Sequence, residues 1–316
     1  MSSNPVADQS LNKWWRTNTW TGDPWSLDYA LAIKGTTTLA VVVPALNEEV
    51  TIGAVLDTLT PLVGCGLIDE LLVVDSGSTD NTAGVARQHG ARVIDGPRSL
   101  PESGARAGKA DALWKGVAAC NSDLVCFHDA DLTEFSRGFI VNLIVPMLEN
   151  EELQLVKAFY KRTGEGGRVT ELVARPLLAY LRPALRLLVE PLAGEYIVRR
   201  ATLLSLPFAG GYGVEIGMLM DIHDQYGLHA IGQVDLGVRR GNRHHLRHLG
   251  LMSFDVITAA LERAGLSSEP SRTMVQFEAG GGWSAKESSP VVPARPPLST
   301  TLRSGRSLHE RKPHRS

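Results

Sequence analysis

Cysteines are few, long apolar runs are missing and net charge is almost nil. Cys65, Cys120 and Cys126 are the three cysteines in 316 residues, and none forms a CxxC pair. That excludes the usual zinc and dithiol frameworks and leaves reduced, packed thiols, which suit a cytoplasmic setting. No apolar run approaches the roughly eighteen residues a membrane helix needs, so stable membrane insertion is not expected. Met1 to Trp15 is polar and lacks the apolar core of a secretory signal. A formal net charge of -2 argues against nucleic acid as a partner. No GxxxxGK[ST] occurs, which excludes a P-loop. What is present is ordinary for a globular chain, 43% hydrophobic and 21% charged. The length suffices for a sizeable core, in about two domains or one with an extension.

Taken in order, residues 1–37 carry Trp14, Trp15, Trp20 and Trp25 in a polar context and read as an N-terminal arm whose indoles pack on the main body. The body begins at Thr38 with the β-branched run Leu39 to Val43, suited to a strand covered on both faces. A helical pattern through Ile52, Val55, Leu56 and Leu59 stops at Pro61. Strands at 71–74, 91–94 and 124–127 alternate with helices, one of them opened by Gly108-Lys109. This spacing predicts an α/β fold with a doubly wound, mostly parallel sheet over 38–150. Residues 151–280 form a second half. It holds strands near 154–161 and 229–238, a long apolar helix from Arg168, a loop or short strand at 191–196, and helices from Tyr212 to about Gln225 and over 246–264. Gly-, Ser-, Pro- and Arg-rich sequence over 281–316 reads as a disordered basic tail, its charges solvated.

The chemistry gathers where strands end. Val125-Cys126-Phe127-His128 runs into Asp129-Ala130-Asp131, two carboxylates at the end of a parallel strand, where open α/β sheets bind ligands. Buried carboxylates need a cation or a hydrogen-bond network. Oxygen donors suit Mg²⁺ or Mn²⁺, whose shell is completed by water and substrate phosphates. Asp131 with a metal-bound diphosphate, and Asp129 close by, is the working arrangement; a solvated turn is the plain alternative. Pro44-Ala45-Leu46-Asn47-Glu48 ends the first strand, and Glu48 there can accept from a ribose hydroxyl or a base N–H, or simply help cap the helix. Asp75 and Ser76 end the second, where an acid can take a uracil N–H; a capped turn explains Ser78 and Asp80 as well. Lys109, at a helix start that favours anions, suits a diphosphate or sugar hydroxyls, against a plain surface lysine.

Three motifs in this order, Val42-Val43-Pro44-Ala45-Leu46-Asn47-Glu48-Glu49, Val74 to Asp80, and Asp129-Ala130-Asp131, resemble GT-A glycosyltransferases. Gly167-Arg168-Val169-Thr170-Glu171-Leu172, Pro191-Leu192-Ala193-Gly194-Glu195-Tyr196 and Gly211-Tyr212-Gly213-Val214-Glu215-Ile216-Gly217 narrow the resemblance to the glucosyl-3-phosphoglycerate synthase family, retaining enzymes of the GT-A fold. It covers about residues 14 to 280. The resemblance implies a UDP-glucose site at Pro44, Ala45, Leu46, Glu48, Asp75, Ser76, Lys109, Asp129, Ala130 and Asp131. It implies a 3-phosphoglycerate site at Gly167, Arg168, Val169 and Thr170, where an arginine, backbone N–H groups and a hydroxyl open a helix. Lys109, Asp131, Glu215 and the carbonyl of Leu192 would carry the chemistry, with Mg²⁺ or Mn²⁺ on Asp131. One departure stands out. The family carries His-Arg-Asn after Gly-Val-Arg-x, its histidine on the metal and its asparagine on the acceptor. Here Gly237-Val238-Arg239-Arg240 runs into Gly241-Asn242-Arg243-His244-His245. Gapless alignment leaves Gly241 at the histidine position and Arg243 at the asparagine; a local shift would make His244 the ligand and Asn242 the acceptor contact, a solvated histidine pair being the plain alternative.

The expected activity is therefore glucosyl transfer from UDP-glucose to 3-phosphoglycerate. Competing readings are transfer from GDP-mannose to the same acceptor, an inverting polyprenyl-phosphate transferase, and a nucleotide-sugar binder without turnover. Apolar patterns at 170–190 and 246–264 offer a homodimer face.

Overall fold

The computed structural model describes residues 5–22, 24–100, 104, 108–132, 135–163, 166–240, 245–266, 273–279, 283–288 and 293–301. The first elements are α1 (Pro5–Asn18), β1 (Thr19–Trp20), α2 (Leu27–Lys34), β2 (Leu39–Ala45), α3 (Ile52–Gly64), β3 (Glu70–Asp75), α4 (Thr82–Gln88) and β4 (Arg92–Asp95). Next come α5 (Lys109–Ala119), β5 (Leu124–Phe127), α6 (Gly138–Glu149), β6 (Leu155–Thr163), α7 (Arg175–Leu181), β7 (Tyr196–Arg199) and α8 (Arg200–Ser205). The last are α9 (Val214–Tyr226), β8 (Ile231–Arg240), α10 (Leu246–Arg263), β9 (Met274–Ala279) and β10 (Trp283–Ser288).

Eight strands form one sheet in the order β1-β8-β6-β7-β5-β2-β3-β4. Only β7 runs against its neighbours β5 and β6. The mostly parallel α/β sheet expected of the GT-A fold is therefore what the chain builds. The boundary expected near residue 150 falls between α6 and β6 and does not divide the sheet.

Successive strand residues face opposite layers. Ala40 and Val42 of β2 join one core with Leu113, Trp114 and Val117 of α5 and Leu219 of α9. Leu39, Val41 and Val43 join another with Leu56 and Leu59 of α3 and Ile140 and Ile144 of α6. This two-sided burial explains the unbroken apolar run. A Cβ on Gly116 would sit 2.4 Å from Val42 Cγ1, so a glycine there lets α5 approach β2 closely.

Four expectations change. Pro61 does not stop α3, which continues to Gly64. The long helix expected from Arg168 is broken: a wide π turn over Thr170–Ala174 precedes α7, and Pro183 opens a 3-10 turn. Pro176 lacks an N–H and crowds the carbonyl four residues back, which a wider turn relieves. The arm 1–37 does pack an indole on the body as expected, the buried Trp14 donating to Ile231 O at 2.9 Å, but it also adds a strand to the sheet, since β1 pairs with β8. The disordered reading of 281–316 does not hold for its described residues. β10 pairs with β9, and Arg295 and Leu298 are buried against the body.

Candidate active site

The sheet delivers its loops to one edge. After β2, Glu48 donates its backbone N–H to Thr82 Oγ1 (2.8 Å) and accepts from Thr51 Oγ1 (2.7 Å). Burial raises its carboxyl pKa, and repulsion from Asp131, Asp80 and Asp129 adds to this. After β3, Asp75 accepts from the Ser78 N–H (3.0 Å) and hydroxyl (2.5 Å), and Ser78 Oγ accepts from the Asn47 N–H (2.9 Å). Asp75 thus ties two loops together and is not among the cleft-lining residues, whereas Pro44, Ala45, Leu46, Glu48 and Ser76 are.

Below them lies a network of charge. Lys109, the first residue of α5, places Nζ 2.8 Å from Asp129 Oδ1 and 2.9 Å from Glu215 Oε1. Arg239, near the end of β8, reaches Asp129 Oδ2 (3.1 Å), Asp131 Oδ1 (3.7 Å) and Glu195 Oε1 (2.9 Å). Burial alone would raise the Asp129 pKa, but the two cations outweigh it and hold the carboxyl well below the usual range. Burial would likewise lower the Lys109 pKa, and the facing carboxylates reverse this and raise it well above normal. Glu195 is the exception. Its complete burial pushes its carboxyl up to about 7 despite Arg239. Among the described residues Asp129, Asp131, Glu195 and Glu215 share Lys109 and Arg239 beside an open cleft.

The Leu192–Gly194 loop closes the floor. Lys157 Nζ, buried and pushed down to about 8 by burial, donates to Ala193 O at 2.9 Å. A Cβ on Gly194 would lie 2.4 Å from Asp129 Oδ2, so this position tolerates no side chain while Asp129 keeps its place. The facing wall is Gly167, Arg168, Val169 and Thr170, with Tyr212 and the start of α10. Arg162 braces that wall through Glu190, Nε to Oε1 at 2.9 Å and Nη2 to Oε2 at 3.1 Å. The whole encloses about 630 Å³, ample for a nucleotide sugar beside a small anion.

Residues 40–196 match the family model for Glycosyl transferase family 2. Glucosyl-3-phosphoglycerate synthase of Mycolicibacterium smegmatis is 44% identical over 301 residues, covering 92% of this chain and 99% of that protein. The chain belongs to the glucosyl-3-phosphoglycerate synthase family. The Mycobacterium tuberculosis relative is 49% identical over 276 residues, 83% of this chain and 84% of that protein. A crystal structure of the M. tuberculosis synthase with Mn²⁺, UDP and phosphoglyceric acid superposes with a TM-score of 0.85 at 47% identity, covering 90% of this chain and 98% of that one. Another, with Mn²⁺, UDP-glucose and phosphoglyceric acid, gives a TM-score of 0.84 at 47% identity, again over 90% and 98%.

Family membership frames the remaining placements. Lys109, Asp129, Ala130, Asp131, Leu192 and Glu215 all line the one cleft. Asn242 and His244 lie outside the described residues, as does Gly241. Among the described residues no group of three or more His, Cys, Asp and Glu side chains is set to enclose a metal. A divalent ion held through Asp131 and completed by substrate phosphates still fits, because Asp131 lines the cleft and Mg²⁺ commonly binds through one or two carboxylates. No helix among the described residues is long and apolar enough to cross a membrane. The charge hub Arg239 and its buried partner Glu195 were not singled out from sequence. Neither were Arg162, Gly194 and the α10 wall of Met252 and Asp255.

Proposed function

We propose that this protein transfers glucose from UDP-glucose to the 2-hydroxyl of 3-phosphoglycerate, with retention at the anomeric carbon. The observation carrying the reading is the single cleft that unites Lys109, Asp129, Asp131 and Glu215 with Gly167–Thr170, in a chain 44% identical to a synthase of that name. The nucleoside would rest on Pro44–Leu46, Glu48 and Ser76, with Asp75 holding the turn behind them. Glu215 and Asp129 would accept glucose hydroxyls. Gly167, Arg168, Val169 and Thr170 would receive the acceptor's anionic groups, joined by Asn242. Mg²⁺ or Mn²⁺ on Asp131, with His244 the candidate second ligand, supplies Lewis-acid neutralisation of the diphosphate when bound.

Lys109 adds preorganised positive charge where the leaving oxygen becomes anionic. The C1–O bond to UDP breaks, the bond to the acceptor hydroxyl forms, and the acceptor proton passes to the departing phosphate. Retention is supported by how three carboxylates among the described residues of the cleft are already engaged. Asp129 is held ionised and occupied by two cations, and Glu215 is paired with Lys109. Asp255 has one oxygen taken by the Tyr212 N–H at 2.9 Å and the other buried. The Leu192 carbonyl would sit beside the acceptor and the leaving phosphate.

A cytoplasmic homodimer completes the proposal. The three cysteines are free thiols, and Leu172, Tyr180 and Leu246, within the two apolar stretches, are 75, 83 and 77% exposed. Sedimentation of the purified protein tests the dimer; a monomer at micromolar concentration refutes it. The activity is tested by UDP release from UDP-glucose with Mg²⁺ and 3-phosphoglycerate against a control lacking acceptor, with a GDP-mannose arm. Acceptor-dependent release is expected with UDP-glucose only. Release from GDP-mannose alone overturns the donor, and binding of UDP-glucose without release leaves a binder.

A further inference from the structure

None of residues 293–301 lines the cleft, yet Arg295 is held from several sides. Arg295 is 2% exposed, and its backbone pairs in both directions with Phe208 (2.9 and 2.8 Å). Its guanidinium Nε donates to Asp111 Oδ1 at 2.6 Å, Nη2 contacts the same oxygen, and Nη2 also donates to Gly104 O at 2.9 Å. The guanidinium carbon stands 5.0 Å over the Trp114 ring, and the Trp114 indole N–H donates to Pro296 O at 2.9 Å. Lys115 closes the far side, with Nζ 2.7 Å from Asp111 Oδ2 and 2.5 Å from Gly96 O.

The contacts to Asp111 and Trp114 converge on α5. Asp111, Trp114 and Lys115 occupy one face of α5, at the three- and four-residue spacing that aligns side chains. Lys109 opens the same helix and points its ammonium into the cleft at Asp129 and Glu215. Gly104 lies on the other side of Lys109 in sequence. One guanidinium therefore grips the chain before and after the lysine. Gly108, at the N-cap, offers no side chain to fix this helix start. We propose that Arg295 is a positioning residue: segment 293–301 straps the first turn of α5 and sets where Lys109 stands. A planar fork suits this task, because lysine cannot serve Asp111 and the Gly104 carbonyl in one geometry.

The inference rests on the proposed role of Lys109 at a diphosphate, and its test separates the two. In the full-length chain, Arg295→Ala and Arg295→Lys are compared with the parent. The readouts are UDP affinity by calorimetry, kcat and acceptor KM for transfer, and amide exchange in the peptide containing Lys109. For Arg295→Ala the expected result is roughly tenfold or greater loss in both UDP affinity and kcat, unchanged acceptor KM, and faster exchange at the start of α5. Millimolar guanidinium should restore much of the loss, and Arg295→Lys should fall between the two. A purely structural role would lower the thermal midpoint while leaving UDP affinity and kcat per folded molecule at parental values; that result overturns the proposal. Should Arg295→Ala not fold, Arg295→Lys decides, and parental affinity, kcat and exchange in it refute the strap. A parent that transfers nothing defeats the functional reading alone, because the exchange and its guanidinium rescue still report the strap.

Discussion

Replacing Arg239 with methionine keeps most of the side-chain volume and removes the charge that Asp129, Asp131 and Glu195 share. The Arg239 side chain is 12% exposed and that of Glu195 fully buried. Breaking such a pair from one side costs about 3–5 kcal/mol, because a buried charge is stranded. The pH dependence is the sharper test. Burial already places the Glu195 carboxyl at about 7, with Arg239 pulling it down, so losing Arg239 drives it higher. A carboxyl whose folded pKa exceeds its unfolded value favours folding most at low pH, and that advantage is lost as pH rises to the folded pKa. In the parent this loss ends near 7; in the variant it continues above 7. The stability deficit should thus stay level from about pH 5.5 to about 7. It should then widen by up to about 1.4 kcal/mol per pH unit, or about 2 kcal/mol by about pH 8.5. Lys157, at about 8, titrates in both proteins and largely cancels. Urea unfolding at these three pH values makes the measurement. A deficit equal at the two higher values, or smaller at the highest, refutes the charge-pair account of Arg239.

Further outcomes follow from the same network. Lys109→Met should lower kcat by about 10²–10³, the usual loss of one preorganised electrostatic group, and steady-state assays with saturating metal will read it. Asp131→Asn should weaken Mn²⁺ activation at least tenfold while Asp129→Asn mainly lowers kcat; metal titrations that respond equally in both variants would place the ion between the two. Gly194→Ala, whose Cβ would meet Asp129 Oδ2 at 2.4 Å, should destabilise by about 1–3 kcal/mol and depress kcat, as calorimetric melting and assay would record. Burial pushes Asp255 up to about 6 against the Tyr212 N–H bond, so the parent should lose up to about 3 kcal/mol relative to Asp255→Asn as pH rises from about 4 to about 6. Equal pH slopes for parent and variant in that window would contradict it.

The sheet and its functional edge were legible because local sequence suffices for them. An unbroken run such as Leu39–Val43 announces a strand buried on both faces, and carboxylates at the ends of β2, β3 and β5 share an edge once the sheet is parallel. Asp75 shows the limit of that logic: its position at the edge was readable, but its capture by Ser78 depends on a turn conformation. Arg239 was hidden for a different reason. It looks like one more arginine in a basic run until the β6–β8 register sets it beside Arg162 and across from Glu195. The loop leading into the reversed strand β7 supplies Gly194 and Glu195 to the floor, and a stretch as short as Tyr196–Arg199 carries no signal of direction. Segment 293–301 has too few apolar residues to announce a core. Its anchor is an ion pair to Asp111 from 184 residues away, which no local pattern reveals.

The most direct test follows the product itself. The purified protein is given UDP-glucose, 3-phosphoglycerate and Mg²⁺, and the anomeric proton of the product is observed by NMR, with parallel samples lacking metal or acceptor. A new α-glucosidic signal on the glycerate 2-oxygen is expected only when all three are present. A β-linked product, or equal product without metal, would contradict it.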